Sequence, residues 1–308
     1  MITLTGVFVC LLLFILISNY QRRTHNFAHQ PNPTDSAGPP ERIVSLAPDL
    51  TEILFALGLG ERIVAVSNDS DYPPEAAEKQ KVGTFWQPNI EAIIASKPDL
   101  VVTLSFEQQK AAADTLYKLG YRVLTLRLEK IEQLLAAIRE IGAATACQQR
   151  AAELVKDITD RIADLKSKFA LADRVRVLCV VQVEPLRVAA PNTFINELLE
   201  LAGGENVIGP AIGQYPFIGS EEILACGAET IIQSSMGTSS IAEQQQAAQI
   251  YWSRWPNLPA VKNNRIYVVE PDTILRLGPR LPQGIELIGR CLHPDMFTQI
   301  RDVKQQVR

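Results

Sequence analysis

The fold of this chain can be inferred outward from Gly83-Thr84-Phe85-Trp86-Gln87-Pro88-Asn89-Ile90-Glu91, which continues through a short apolar helix pattern into Lys97-Pro98-Asp99-Leu100-Val101-Val102. About 130 residues later the chain repeats this plan, beginning with Tyr215-Pro216-Phe217-Ile218-Gly219-Ser220-Glu221. In both copies an aromatic residue stands five or six positions before a Glu, and Ala follows the Glu by four positions. In both, an acidic residue eight positions after the Glu begins a run rich in β-branched residues. Two copies of one loop–helix–strand unit predict two related lobes.

The repeat contains three candidate ligand contacts, Phe85, Trp86 and Tyr215. They occupy matching loops, and α/β folds bind ligands in the crevice beyond the carboxyl ends of their strands. We therefore interpret these rings as facing a ligand between the two lobes, with Phe85 and Trp86 competing for one position. The alternative is that a loop aromatic beside Pro packs only on its own loop.

The repeat also contains two glutamates, Glu91 and Glu221, near the N-termini of its short helices. The helix dipole stabilises a carboxylate there by roughly 0.3–1 kcal/mol, which is enough to explain one such Glu. It explains less well why both occupy the same place in a repeat. We interpret the pair as facing outward to a partner.

The composition excludes several classes of protein. The chain has 308 residues, enough for two domains with a large core. The net charge is -4 and no basic stripe is interleaved with aromatics, so nucleic-acid binding is not expected. Five cysteines lack CxxC or CxxH spacing and there are only three His, so neither a zinc site nor a His-based metal centre is predicted.

The N-terminus is an apolar segment without charge from Ile2 to Ser18. Its length is short for a membrane span and also fits the core of a signal peptide. Arg22 and Arg23 follow it, and the positive-inside rule alone would place the rest of the chain in the cytoplasm. We interpret residues 1–20 as an export signal or membrane anchor, and the Pro-rich, polar residues 21–40 as a flexible linker.

The body of the chain is predicted to be α/β, with two mainly parallel-sheet lobes joined by a long rigid helix. Strand and helix patterns alternate at short spacing in residues 41–129 and again in residues 171–308. Residues 130–170 keep helical spacing without Pro, which predicts one long helix or two end to end, with Gly142 as a possible break. Within the first lobe, Asp49 and Glu52 predict a capping box at the start of a helix.

The remaining candidates are loop charges. Asp272 and Arg276 lie in a polar loop between two ordered elements, where a solvated surface is the simpler interpretation. Asp69 and Glu184 are loop carboxylates without special neighbours in the sequence. The chain has no G-x-S-x-G, no P-loop and no Ser-His-Asp set, so no enzyme is predicted.

Several short motifs together resemble the periplasmic substrate-binding proteins of ABC importers for vitamin B12, ferric siderophores and haem. The resemblance extends from about Glu41 to Pro294. Its motifs are Ser45-Leu46-Ala47-Pro48, Thr51-Glu52-Ile53-Leu54, Ser70-Asp71-Tyr72-Pro73-Pro74, Pro88-Asn89-Ile90-Glu91, Lys97-Pro98-Asp99-Leu100-Val101, Gly203-Gly204-Glu205-Asn206-Val207 and Gly278-Pro279-Arg280.

Among members of that family, those that bind vitamin B12 show the most similar pattern, with an aromatic six residues before each docking Glu. This resemblance implies that Asp272 and Arg276 contact the side chains of a corrinoid. It also implies that Glu91 and Glu221 point toward arginines of the membrane permease. Two positions depart from the pattern: Asp69 and Leu104 stand where B12 binders have cleft aromatics, which predicts a less aromatic pocket.

The resemblance implies a monomeric, extracytoplasmic solute-binding component of an ABC importer, which carries no cofactor and delivers a corrinoid to a permease with its ATPase subunits. It also implies two lobes joined by a rigid helix, a small closing motion and a mostly preformed cleft. A first alternative keeps the class but changes the ligand to a ferric siderophore or haem, with Tyr215 as a candidate haem ligand. A second is a corrinoid- or metal-processing enzyme on the same fold, disfavoured by the lack of clustered His, Cys or acidic residues.

Overall fold

The computed structural model describes residues 38–237 and 239–297. Its first sheet has five parallel strands in the order β3-β2-β1-β4-β5. We call the part of the chain around this sheet the first lobe. Its strands are β1 (Ile43–Ser45), β2 (Ile63–Val66), β3 (Gln80–Lys81), β4 (Leu100–Leu104) and β5 (Val123–Leu126). Its helices are α1 (Pro48–Ala56), α2 (Pro74–Ala77), α3 (Ile90–Ala95) and α4 (Glu107–Lys118), with a 3-10 turn at Gly60–Arg62.

The central strand β4 shows why this sheet is parallel. All five of its residues are buried, which is typical of a strand covered by helices on both faces. Leu100, Val102 and Leu104 pack into one hydrophobic cluster, whereas Val101 packs into another on the opposite face. Because successive side chains of a strand point to opposite faces, β4 contributes to an apolar layer on each face of the sheet.

Two helices connect the first sheet to the second, α5 (Ile131–Ala144) and α6 (Gln148–Phe169). The chain breaks at Ala146, which has a φ of +58°. The predicted break at Gly142 is therefore misplaced, and Gly142 instead lies against Ala151 so closely that a side chain would overlap it. Arg150 of α6 donates to the carbonyl of Leu57 in the first lobe at 3.2 Å.

The second sheet follows α6, and we call the part of the chain around it the second lobe. Its strand order is β10-β9-β6-β7, with β8 paired to β6, and only β7 runs antiparallel. Its strands are β6 (Val175–Gln182), β7 (Arg187–Val188), β8 (Gly204–Asn206), β9 (Thr230–Ser234) and β10 (Ile266–Val269). Its helices are α7 (Phe194–Leu201), α8 (Ser220–Cys226), α9 (Ile241–Trp252), α10 (Pro259–Lys262), α11 (Pro271–Ile274) and α12 (Leu281–Leu292).

One hydrophobic core runs through both lobes. It includes Ile43 of the first sheet, Ile138 and Ile158 of the connecting helices, and Val177 and Ile285 of the second lobe. Because close-packed cores resist deformation, this continuity favours the small closing motion expected from the sequence. That motion and the residue boundaries of the lobes stay predictions.

The predicted α/β architecture with two mainly parallel sheets is confirmed. The predicted capping box is wrong, because α1 begins after Ala47 with Pro48 in its first turn and has no side-chain cap. The predicted segment 1–20 and most of the linker 21–40 lie outside the described residues. Within residues 38–237 and 239–297, none of the helices has the length and apolarity needed to cross a membrane.

Candidate functional site

A buried ion pair joins the two lobes. Arg280, which precedes α12, donates Nε to Glu52 Oε2 at 2.8 Å and Nη2 to Glu52 Oε1 at 2.6 Å. Glu52 lies on α1 of the first lobe, and its side chain is only 2% exposed. The guanidinium of Arg280 also lies 3.9 Å from the ring centroid of Tyr72. A two-bond arginine–carboxylate pair is among the strong protein contacts and fixes the relative orientation of both groups.

A second arginine of the same loop, Arg276, also spans the lobes. Its Nη1 donates to Asp71 Oδ1 of the first lobe at 2.7 Å, and its Nη2 lies 3.0 Å from Asp272 Oδ1 of its own lobe. Nη1 is 3.4 Å from Glu52 Oε1, and Nη2 is 3.3 Å from the carbonyl oxygen of Asp69. The loop is thus part of an interlobe cluster rather than a solvated surface.

The carboxyl group of Asp49 lies beside this cluster. Burial raises its pKa to about 7, the charge of Glu52 acts in the same direction, and Arg276 and the backbone of Leu277 partly oppose them. Among the described residues its Oδ1 atom is buried without a hydrogen-bond partner. Near neutral pH this carboxyl is therefore protonated in part of the population, which limits the negative charge held between the lobes.

Tyr215 of the second lobe lies within electrostatic reach of Asp49. Burial raises the pKa of Tyr215 to about 12, and the charges of Cys179 and Asp49 add to this shift. The side chain is half-buried and packs against the main core. At physiological pH it is therefore a neutral phenol that can donate a hydrogen bond.

A buried set of hydroxyl groups holds the loop that precedes Asp71. Thr51 Oγ1 of α1 donates to Ser45 Oγ at 2.8 Å and lies 3.0 Å from Ser70 Oγ. Ser70 Oγ lies 2.8 Å from Ser67 Oγ, and the backbone N–H of Asn68 donates to the carbonyl of Gly83 at 2.8 Å. These contacts hold the loop of residues 67–71 against α1. They also hold it against the loop of residues 83–89, which we call the aromatic loop.

The aromatic loop is held by its backbone. Asp69 Oδ2 accepts from the N–H of Phe85 at 2.8 Å, and Gln109 Nε2 donates to the carbonyl of Phe85 at 3.2 Å. Gln109 is fully buried and also bonds the strand residues Thr103 and Leu104. Asp69, a loop carboxylate without special neighbours in the sequence, therefore positions this loop.

The two rings of this loop have different surroundings. Phe85 packs against the main core and meets Phe106 edge-on, with ring centroids 5.8 Å apart. Trp86 is 62% exposed and meets Phe85 edge-on at 4.9 Å. Phe85 thus supports the loop, and Trp86 presents its ring for contact. Leu104 is buried in the core and presents almost no surface.

The predicted docking glutamates occupy equivalent positions. Glu91 is the second residue of α3 and Glu221 the second residue of α8, and both are exposed. Asn89 caps α3, since its side chain accepts from the N–H of Ala92 at 2.9 Å. The structure leaves both carboxylates available at the surface, and their docking role stays a prediction.

The sequence reasoning missed the roles of Glu52, Asp71, Arg280 and Gln109. The first three lie inside the short motifs noted above, so each position was visible. Their pairing was not, because Glu52 and Arg280 are 228 positions apart. Sequence patterns did not reveal, for the same reason, that Asp49, Glu52, Asp71 and Asp272 lie together at the lobe junction. Among the residues that the structure describes, no group of three or more His, Cys, Asp or Glu is arranged to hold a metal ion.

Two α/β lobes on connecting helices, with polar loops and aromatic rings at their junction, define a two-lobed solute-binding protein. The chain matches the family described as periplasmic binding protein over residues 43–273, and it belongs to that family. The prediction of a solute-binding protein rather than an enzyme is thereby confirmed.

Similar proteins support this assignment. An ABC transporter substrate-binding lipoprotein of Bacillus subtilis is 30% identical over 268 residues, covering 84% of this chain and 82% of the relative. The periplasmic vitamin B12-binding protein of Vibrio cholerae has a TM-score of 0.73 and 29% identity, covering 82% of this chain and 97% of that one. A periplasmic haem-binding protein of Pseudomonas aeruginosa has a TM-score of 0.74 and 25% identity, covering 83% and 93%.

Proposed function

We propose that this protein is the extracytoplasmic solute-binding component of an ABC importer, and that it captures a corrinoid such as vitamin B12 between its lobes. The observation that carries the choice of ligand is the charge at the lobe junction. Asp272 brings a partly exposed carboxylate to this junction beside Arg276, and Asp71 adds a negative charge from the first lobe on the same guanidinium. The rim of a corrinoid bears amides, which donate hydrogen bonds to carboxylates and accept them from a guanidinium.

The same charge disfavours the haem alternative. Haem carries two carboxylates, and juxtaposing them with the acidic groups of the junction is unfavourable. The haem-binding relative and the phenol of Tyr215 support this alternative. A ferric siderophore with a strongly anionic surface meets the same repulsion.

The aromatic rings supply the apolar part of the site. Trp86 presents an exposed ring on the first lobe, and Tyr215 lies at the junction on the second. A macrocycle buried against two such rings gains apolar contact area, and its rim is oriented by a few polar groups. The backbone contacts of Phe85 favour a preformed site, which lowers the entropy lost on binding.

Isothermal titration of the purified full-length chain in mild detergent tests this proposal. Cyanocobalamin is expected to bind with one-to-one stoichiometry and a dissociation constant of about 1 μM or lower, corresponding to roughly 8 kcal/mol of binding free energy. Haemin and a panel of ferric siderophores serve as competing ligands under the same conditions. Saturable binding of one of these without binding of cyanocobalamin would reject the corrinoid and keep the class.

We further propose that Glu91 and Glu221 dock the protein on arginines of the permease, one from each lobe. Each substitution, Glu91→Ala or Glu221→Ala, is expected to weaken binding to the detergent-solubilised permease–ATPase complex about tenfold, because each removes one charge pair of a two-point contact. Glu107→Ala is the matched control, since Glu107 is an exposed glutamate in the first turn of α4.

The docking variants should leave ligand affinity unchanged. Equal permease binding by the docking variants and Glu107→Ala would contradict the docking role. The lipoprotein relative supports a further part of the proposal, that residues 1–20 direct export and anchor the protein to the membrane. We propose that the protein acts there as a monomer.

A further inference from the structure

We propose that Asp71 acts as an internal competitor that occupies Arg276 and must give it up when the ligand binds. This inference rests on the proposed function, because it concerns how that ligand gains access to the guanidinium. It assigns to Asp71 a role in setting affinity that is separate from ligand contact.

The contacts of Arg276 are unequal in strength and accessibility. The contact to Asp71 Oδ1 is the shortest, at 2.7 Å, and it crosses from one lobe to the other. The Asp71 side chain is 59% exposed, whereas that of Arg276 is 14% exposed. Asp272, four residues earlier in the short helix α11 of the same lobe, lies 3.0 Å from Arg276, and this contact does not depend on the position of the first lobe. The bond to Asp71 is therefore the one that a ligand can reach and replace.

The other arginine of the cluster, Arg280, does not have an exchangeable partner. Its partner Glu52 is 2% exposed and receives two hydrogen bonds from Arg280. Separating that pair would leave a charge buried without compensation, which is strongly unfavourable. The cluster thus contains one permanent interlobe pair and one replaceable pair.

The surroundings of Asp71 favour exchange by movement of its side chain alone. Its backbone follows Ser70, which is buried and held by hydroxyl contacts and by Lys81 Nζ at 2.6 Å from its carbonyl oxygen. Burial lowers the pKa of Lys81, and the charges of Asp71 and Asp69 partly oppose this, so Lys81 lies within electrostatic reach of Asp71. A carboxylate displaced from Arg276 therefore keeps a cation nearby.

The competition has a defined consequence for binding. An amide oxygen of the ligand must replace a carboxylate at Nη1, so part of the binding free energy is used to break the Asp71 contact. The same contact re-forms when the ligand leaves, which stabilises the ligand-free state. Affinity is thereby kept below what the contacts of the cleft alone would give.

Titration of cyanocobalamin into the full-length Asp71→Asn variant tests this inference. The variant is expected to bind about fivefold more tightly than the wild type, the upper range for loss of a partly exposed ion pair. Added salt is expected to tighten binding by the wild type, because screening weakens its competing pair, and to have little effect on the variant. Glu75→Gln is the matched control, because Glu75 is an exposed side chain four positions after Asp71 and the substitution removes the same charge.

The outcomes separate the inference from the function on which it rests. If the wild type binds cyanocobalamin and Asp71→Asn binds equally or more weakly, Asp71 is not a competitor and the inference is overturned. If Glu75→Gln shows the same gain as Asp71→Asn, a general charge effect explains the result and the inference is likewise overturned. If the wild type binds no corrinoid, the proposed function fails and the inference fails with it.

Discussion

Replacement of Glu52 by Gln is expected to lower the free energy of unfolding by about 3 kcal/mol, the lower range for breaking a buried ion pair. The side chain of Glu52 is 2% exposed and that of Arg280 is 22% exposed, so the remaining guanidinium keeps little access to water. A Gln at this position keeps one acceptor oxygen, but its amide N–H group replaces the other oxygen and faces a guanidinium donor. For a chain of 308 residues the loss corresponds to about 5 °C in the melting temperature.

Thermal unfolding followed by circular dichroism measures this effect. Glu129→Gln is the matched control, because Glu129 forms an ion pair of 2.8 Å with Arg127 on the surface, where their side chains are 30% and 65% exposed. The control should change the melting temperature by only about 1–2 °C, since exposed pairs contribute little. The double variant Glu52→Gln/Arg280→Gln should lose less than the sum of the two single variants, because the residues interact directly. Equal melting temperatures for Glu52→Gln and the wild type would reject an interlobe pair.

This pair also shows where sequence reasoning succeeds and where it stops. The strands and short helices could be predicted because their periodicity is local, as in the buried strand β4 and the helix capped by Asn89. The D-x-x-E pattern at Asp49 and Glu52 predicts a helix cap for the same local reason. The helix starts earlier, at Pro48, and both carboxylates face the other lobe instead. Their partners come from a distant loop, so no local pattern could identify them.

The aromatic loop illustrates the same limit on a smaller scale. The repeat singled out Phe85 and Trp86 as a pair, but adjacent residues in a loop have no fixed period that separates inside from outside. Which ring is packed and which is exposed depends on Phe106 and on the buried Gln109, which lie on or beside α4. Only the folded chain shows that Phe85 supports the loop while Trp86 is exposed.

Replacement of Trp86 by Ala is accordingly expected to weaken cyanocobalamin binding about 30-fold, the loss typical of an aromatic hot spot. The ring is 62% exposed and rests edge-on against Phe85, so its removal deletes contact surface without opening the core. Tyr215→Ala is expected to cause a loss of similar size from the second lobe. Tyr215→Phe, which removes only the hydroxyl group, should cost about 1 kcal/mol or less if the phenol serves mainly as an apolar face.

The double variant Trp86→Ala/Tyr215→Ala decides whether the two rings contact one ligand from opposite lobes. Rings that touch separate faces of a macrocycle should contribute additively within about 0.5 kcal/mol, whereas rings that touch each other should not. Tyr117→Ala is the matched control, because Tyr117 is a 40% exposed aromatic on α4. Titration calorimetry compares the affinities of the wild type, the two single Ala variants, the double variant and the control for cyanocobalamin. Unchanged affinity in Trp86→Ala would remove this loop from the binding site and leave the second lobe as its main source of apolar contact.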